Sequence, residues 1–284
     1  MARSKFLVSL LVAVAFCAMA GTSFAKTDPK PKCAFTGDYS FFFWSPGYPD
    51  AELAGVGFFA VNCAGAVLPG GIINCNVDGD EYETFIESGA VFLEADGEGT
   101  MLIETESSDG ICGTGDNALE LDVSVTQGGN RILFTSNGEP LAASGTTPNA
   151  GHHYVFAGRA GKCFTGQISG CYDIHFWEPT KPLAGDCTIC VNGAGAITSG
   201  SCSCNEDLIE YLSEIETGPT SGYVLGEDCQ SSTGFMAFVT SSDLVCGETG
   251  TIYLDFAVAD GGQEIFGACD DFNDFDCAFE GWKQ

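Results

Sequence analysis

The chain has 284 residues and carries 10 Lys and Arg against 39 Asp and Glu, a formal net charge of −29. Such a field repels phosphate backbones and anionic headgroups, which excludes nucleic acid and anionic membranes as partners. With 22 Phe, 8 Tyr, 3 Trp and 38 Gly the chain holds enough apolar material for a packed core and is no disordered acidic tail.

Residues 1–25 read as a signal peptide. Arg3 and Lys5 precede an apolar run over residues 6–20, and Ser23, Phe24 and Ala25 place small residues at the cleavage positions. The run is too short to span a bilayer comfortably. Cys17 does not make a lipid-anchor site, because Phe16 before it is bulky where a small residue is needed. No second long apolar run follows, so the expected location is secreted or periplasmic. Removing Arg3 and Lys5 with the leader leaves eight basic residues against 39 acidic ones, a net −31. It also leaves 14 of the 15 cysteines, an even number that reads as disulfides in an exported protein. Cys33, Cys63, Cys75 and Cys112 fall in the first half. Cys163, Cys171, Cys187, Cys190, Cys202, Cys204, Cys229, Cys246, Cys269 and Cys277 fall in the second.

Residues 26–37 form a Pro/Lys leader, read as an exposed arm. Residues 39–44 (Tyr-Ser-Phe-Phe-Phe-Trp) are aromatic and strand-prone. Residues 57–61 and 67–75 flank the turn Asn62–Gly65 as a hairpin. Residues 76–83 read as an acidic bend. Residues 90–95 and 100–105 flank Asp96-Gly-Glu-Gly99 as a second hairpin. Residues 119–126 alternate apolar and polar without a break and turn at residues 127–130 into a third hairpin ending near Thr135. Residues 142–151 are small, polar and uncharged, the composition of a linker. Residues 154–158 supply a last strand for the first unit.

The same order then returns. Residues 172–177 match 39–44 at an offset of 133, and Val191, Asn192, Ala194, Gly195, Ala196 and Gly200 match Val61, Asn62, Ala64, Gly65, Ala66 and Gly70 at 130. Ser221-Gly222 is aligned with Ser88-Gly89, Cys246-Gly247 with Cys112-Gly113 and Asp255 with Asp122. The chain therefore reads as a tandem duplication. One departure is residues 205–215, where Asn205 suits an N-cap and Leu208, Leu212 and Ile215 share a helical face, predicting a short helix with residues 82–86 as its counterpart. The expected fold is all-β: two tandem antiparallel domains, residues 38–158 and the disulfide-rich 159–284. Each is an up-and-down barrel of about eight strands, with a β-sandwich as the alternative.

This order of motifs, an aromatic strand, an A-G-x-G-F hairpin with an N-x-x-G turn, an S-G strand, a D-G-x-G-T hairpin and an alternating strand, resembles a loose group of exported bacterial β-repeat proteins. The resemblance covers nearly the whole mature chain. It implies a small barrel-like domain and export, and it supplies no catalytic residues.

Cys187-x-x-Cys190 with Cys202-x-Cys204 has the composition of a four-thiolate zinc site, but in an oxidising compartment disulfides are favoured. In the first unit Cys63 and Cys75 flank the equivalent turn, and a bridge across it is the simplest pairing. Calcium candidates are Asp78 and Asp80, with Asn76 and Glu83, and Asp270, Asp271, Asp274 and Asp276, with Asn273, between Cys269 and Cys277. Both sets also suit solvated charge runs, and the first fails the EF-hand pattern because Glu81 stands where Gly is needed. His152 and His153 are adjacent, so on a strand they point to opposite faces. His175 stands alone. Phe41, Phe42, Phe43, Trp44, Phe176 and Trp177 are expected mostly in the core. No G-x-S-x-G, H-E-x-x-H, P-loop or C-x-x-C-H motif occurs.

The expected function is an exported, non-enzymatic structural or binding protein without a cofactor. A carrier of a small apolar ligand in a barrel lumen and a carboxylate-dependent hydrolase are the alternatives. Expected partners are a basic protein, a glycan or a divalent cation.

Overall fold

The computed structural model describes residues 35–45, 53–77, 80–106, 110–113, 117–136, 157–178, 183–206, 209–226, 234–240, 251–269 and 277–284. Residues 26–34 of the leader, the linker, His152 and His153 lie outside them; the end of the leader is no exposed arm, since Phe35 is buried in the first barrel's core and Gly37 opens β1. Eight strands close the first barrel in sequence order: β1 (Gly37–Trp44), β2 (Leu53–Val61), β3 (Ala66–Val77), β4 (Asp80–Leu93), β5 (Glu98–Thr105), β6 (Ala118–Thr126), β7 (Arg131–Ser136) and β8 (Ala157–Lys162). β8 pairs with both β7 and β1, so it belongs to barrel 1 and runs across the boundary expected at 158/159.

Nine strands form the second sheet: β9 (Gly170–Trp177), β10 (Leu183–Val191), β11 (Ile197–Glu206), β12 (Ile209–Glu216), β13 (Gly222–Val224), β14 (Gly234–Thr240), β15 (Thr251–Ala259), β16 (Glu264–Cys269) and β17 (Ala278–Lys283). The sheet curls in the order β12-β11-β10-β9-β17-β16-β15-β14-β13, and β12 also meets β14. β12 and β13 together take the place that the single strand β4 holds in barrel 1. Ile215 pairs with Thr240 as Ile86 pairs with Thr105.

Register makes the two sheets comparable residue by residue. Tyr39 pairs with Phe59 and Lys162, and Tyr172 with Ile189 and Lys283. Each tyrosine hydroxyl donates to a carbonyl at 2.6 Å, Gly129 for Tyr39 and Gly262 for Tyr172. Burial pushes both phenols up, Tyr172 to about 12. Asn62 and Asn192 fold their turns alike, each Oδ1 accepting from backbone N–H groups two and four residues on. Gly222 bridges Ala196 as Ala90 pairs with Ala66, so Ser221-Gly222 corresponds to Gly89-Ala90, one residue away from the sequence alignment.

Alternation along the strands fills the interiors. Phe41 and Phe43 point inward, and their rings lie over Gly57 and Gly55, where a Cβ would come within 2.5 Å of each ring. In barrel 2 Phe176 covers Gly185 in the same way, at 2.4 Å. At the other position Ile174 and Cys187 replace Phe41 and Gly57, and the space goes to a disulfide from Cys187 to Cys202. The aromatic strands are thus half core: Phe42, Trp44 and Trp177 face out.

Two local expectations are corrected. Residues 209–216 form strand β12, not a helix: Ser213 and Ile215 are buried, while Leu212 is 72% exposed. Pairing with β11 and the period-2 burial override the helical spacing. Residues 82–86 lie within β4, and the acidic bend is the β3–β4 hairpin, paired as far as Val77 and Asp80.

The outward side chains of β1 and β2 join the barrels. Phe42, Ala54 and Val56 pack against Ala257, Ala259, Phe266, Ala268 and Ala278, all buried. Phe42 stacks on Phe266 at 5.2 Å and Trp44 meets Trp177 edge-on at 5.2 Å. Arg159 reaches Glu264 at 2.7 Å and Glu280 at 3.0 Å, and Arg131 reaches Glu264 at 2.9 Å. Burial lowers the Arg159 pKa, and the two carboxylates oppose that shift. A buried ion pair roughly repays its own desolvation, so the apolar contacts supply the attraction and the charges fix the relative position. Removing one partner is different, because it strands a buried charge. Glu264→Gln should cost roughly 3 kcal/mol in urea unfolding, with the loss seen in probes of both barrels.

Candidate functional site

The interiors are not binding sites among the described residues. Voids of about 10 Å³ remain in barrel 1, beside Phe41 and Met101, and in barrel 2, beside Ile174 and Leu254. That is room for at most one water. Among the described residues these voids offer the carrier alternative no lumen.

The described cysteines are disulfide-bonded, and Cys33, Cys229 and Cys246 lie outside the described residues. Cys75 bridges Cys112, Cys171 bridges Cys190, Cys187 bridges Cys202 and Cys269 bridges Cys277. Cys63, Cys163 and Cys204 are also disulfide-bonded. This corrects two expectations. Cys63 lies in the turn and Cys75 far along β3, opposite Gly55 and six residues from Val61 at the turn, so at about 3.3 Å per residue they are roughly 20 Å apart and cannot bridge. Cys187 and Cys190 are three residues apart on one strand, so they point to opposite faces and cannot converge with Cys202 and Cys204 on one zinc ion. Cys187 turns inward to Cys202, whereas Cys190 turns outward to Cys171.

The calcium candidates are largely beyond the described chain. Asp78, Asp270, Asp271, Asp274 and Asp276 lie outside it, and Asp80 opens β4. The Cys269–Cys277 bridge does close the segment that carries four of them. Among the described residues no group of three or more His, Cys, Asp or Glu is placed to hold a metal.

The outer face of β9 to β12 offers more. Pairing aligns Glu280, His175, Asp186, Ser203 and Leu212 in one row across five strands. The next row is Trp282, Asp173, Thr188, Ser201 and Glu214. Small hydroxyl side chains in the middle and longer ones at the sides leave a groove of about 680 Å³. Nδ1 of His175 lies against Oδ1 of Asp186. Thr188 Oγ1 donates to Asp173 Oδ1 at 3.0 Å, and Gln284 Nε2 donates to the same oxygen at 2.6 Å. The His175 ring leans on Trp282, whose own ring lies 5.0 Å from the Arg159 guanidinium.

A carboxylate on Nδ1 is also how a catalytic histidine is oriented. Among the described residues, however, no hydroxyl or thiol lies against the other ring nitrogen. The groove is lined by three carboxylates and four hydroxyl side chains, with no Arg or Lys. It can accept hydrogen bonds from ammonium, guanidinium or hydroxyl groups. His175 was visible in the sequence only as a lone residue. Its partner follows from counting back along β10 from the Asn192 turn, which sets Asp186 opposite it.

Among the described residues Asp255 is the one carboxyl with a large shift. Burial raises it from an ordinary 3.8 to about 6, and the charge of Glu81 adds to this. Glu81 is itself exposed, so the two form no buried acid pair.

The fold is thus that of a two-barrel all-β protein with an acidic outer groove. No protein-family model matches the chain, and no curated protein matches it. Three solved structures show faint similarity. Kievitone hydratase from Nectria haematococca shares 10% identity over 93% of this chain and 95% of its own, with a TM-score of 0.27. The Myxococcus xanthus hemagglutinin in complex with a mannopentaose shares 10% over 87% and 99%, at 0.17. Intact Ap-TbpB, with its N and C lobes, shares 8% over 88% and 77%, at 0.22. At these scores none of them defines a shared fold or site.

The Asp255 shift has a measurable consequence. Above pH about 6 its carboxyl is charged in both the folded and unfolded chain, and the folded state carries the desolvation penalty. As pH falls toward 4 the folded carboxyl protonates first and the penalty lifts. Asp255→Asn should therefore be more stable than wild type at pH 8 by on the order of 2–3 kcal/mol, and the two should converge below pH 4 in thermal unfolding.

Proposed function

We propose that the chain is an exported, non-enzymatic binding protein, and that the groove on β9 to β12 is its recognition surface. The two barrels are read as duplicates of one β-unit, in line with the resemblance to exported β-repeat proteins. The observation that carries the proposal is the contrast between filled interiors and an open groove lined by Asp173, Asp186 and Glu214. Disulfides on both faces of β10 support an oxidising destination. The ligand that suits the groove best is a basic polypeptide segment. Its charged ends meet three carboxylates, the strongly negative net charge draws it in, and Leu212 at the rim takes its aliphatic stems. No cofactor takes part. Calcium at Asp78 and Asp80, or within the 269–277 loop, is a separate proposal.

Titration of the isotope-labelled protein with an octalysine peptide tests this by NMR. Signals of residues 173–188 and 201–214 should shift, and the affinity should fall steeply with salt. The triple variant Asp173→Asn, Asp186→Asn, Glu214→Gln should bind at least about tenfold more weakly. Binding of a neutral oligosaccharide at the same residues, insensitive to salt, would replace the basic segment by a glycan. No shift with either would end the groove reading.

A further inference from the structure

Away from the groove, strand pairing sets Ala278, Ala268, Asp255, Phe235 and Val224 in one row across β17, β16, β15, β14 and β13. The row runs out from under barrel 1. Ala268 and Ala278 are buried in the contact between the barrels, whereas Phe235 is 41% and Val224 71% exposed. Phe235 stacks on Tyr253, with ring centroids 5.6 Å apart and planes inclined by 26°. Asp255 lies in the row between the buried alanines and Phe235. Burial raises its pKa, and the charge of Glu81 raises it further. Glu81 stands on β4, so a second carboxylate acts on Asp255 from barrel 1.

Among the described residues nothing of opposite charge meets this pair. The Asp255 carboxylate has no hydrogen bond or ion pair there. The four described cations are placed elsewhere: Arg131 and Arg159 on Glu264, Lys162 over the Tyr39 ring and Lys283 beside Gly170. A desolvated carboxylate without a countercharge is destabilising, and a bound cation relieves that cost. The surface beside it selects the kind of cation. A small, strongly hydrated metal ion gains nothing from Phe235, Tyr253 and Val224. An ammonium group with an apolar body gains from both sides of the row. Its N–H groups donate to the carboxylate, and its body covers exposed ring and aliphatic carbon. We infer that Asp255, Phe235 and Tyr253, with Glu81 on the other barrel, form a binding site for a small organic ammonium ion with an aromatic or aliphatic body. The site lies on β13 to β15, apart from the groove on β9 to β12, and it stands whether or not the groove takes a basic segment.

Phenylethylammonium is the probe, titrated by NMR into the isotope-labelled intact chain at pH 7. Signals of residues 235–237 and 253–255 should shift. Phenylethanol keeps the body without the charge, and ethylammonium keeps the charge without the body. Each should bind at least about tenfold more weakly than the probe. Asp255→Asn should weaken the probe by at least about tenfold, and Phe235→Ala by about threefold or more. Both variants should fold, the first because it removes a carboxylate that burial disfavours, the second because the ring is exposed. Lowering the pH from 7 to 5 should weaken wild-type binding about tenfold, as Asp255, shifted to about 6, takes up its proton. Its strand neighbours Phe235 and Ala268 carry no charge, and Glu81 is the charged group that acts on it. Shifts confined to the groove residues 173–188 and 201–214 would overturn the inference. So would Asp255→Asn binding the probe as tightly as wild type, phenylethanol matching it, or no shift at millimolar probe.

Discussion

Because side chains alternate along a strand, the pairing of Tyr39 with Phe59 and Lys162 settles much of the molecule at once. It sends Phe41 and Phe43 inward and Phe42 and Trp44 outward. The inward pair meets Gly57 and Gly55, which leave the depth those rings need. The outward pair is left for something else to cover, and barrel 2 covers it. A one-residue slip of β1 would put Phe42 into the lumen and aromatic rings onto solvent, so register is held on both faces. The tyrosine hydroxyl bonded to Gly129, and its counterpart bonded to Gly262, tie each first strand to the turn that follows β6 or β15.

Much of this can be read in the sequence because turns and alternation are local. The Asn62 and Asn192 turns, the glycine hairpins and the aromatic strands announce the strands and their order, and the all-β barrel follows. Pairings between distant strands are less visible. Cys75 bonds Cys112, not its neighbour Cys63, because the length of β3 separates two residues that are close in number. Residues 205–215 carry a real helical pattern, yet β11 and β14 are present to pair with β12, and backbone pairing outweighs a spacing built on three residues. The groove was legible only in pieces. Asp173, His175 and Asp186 form a row through the β9–β10 register, and nothing local marks them as neighbours.

The same register explains why the second barrel carries more cysteine. With Ile174 in the place of Phe41, the lumen has volume to spare, and Cys187 and Cys202 fill it as a covalent pair. Cys204 holds the place of Cys75 opposite an inward glycine, and both are disulfide-bonded. Cys171 and Cys190 sit on the outer face, beside the polar rows. The extra sulfur is thus divided between replacing aromatic packing inside and bracing β9 to β10 outside. Neither role needs a metal or a redox cycle, and both make the groove's floor stiffer than a sheet held by hydrogen bonds alone.

A stiff polar face limits what can bind it. Carboxylates on β9, β10 and β12 cannot retreat from an apolar surface, so any partner must bring donors of its own. A basic segment brings the countercharge. Selection therefore rests on the desolvation of a few carboxylates more than on shape.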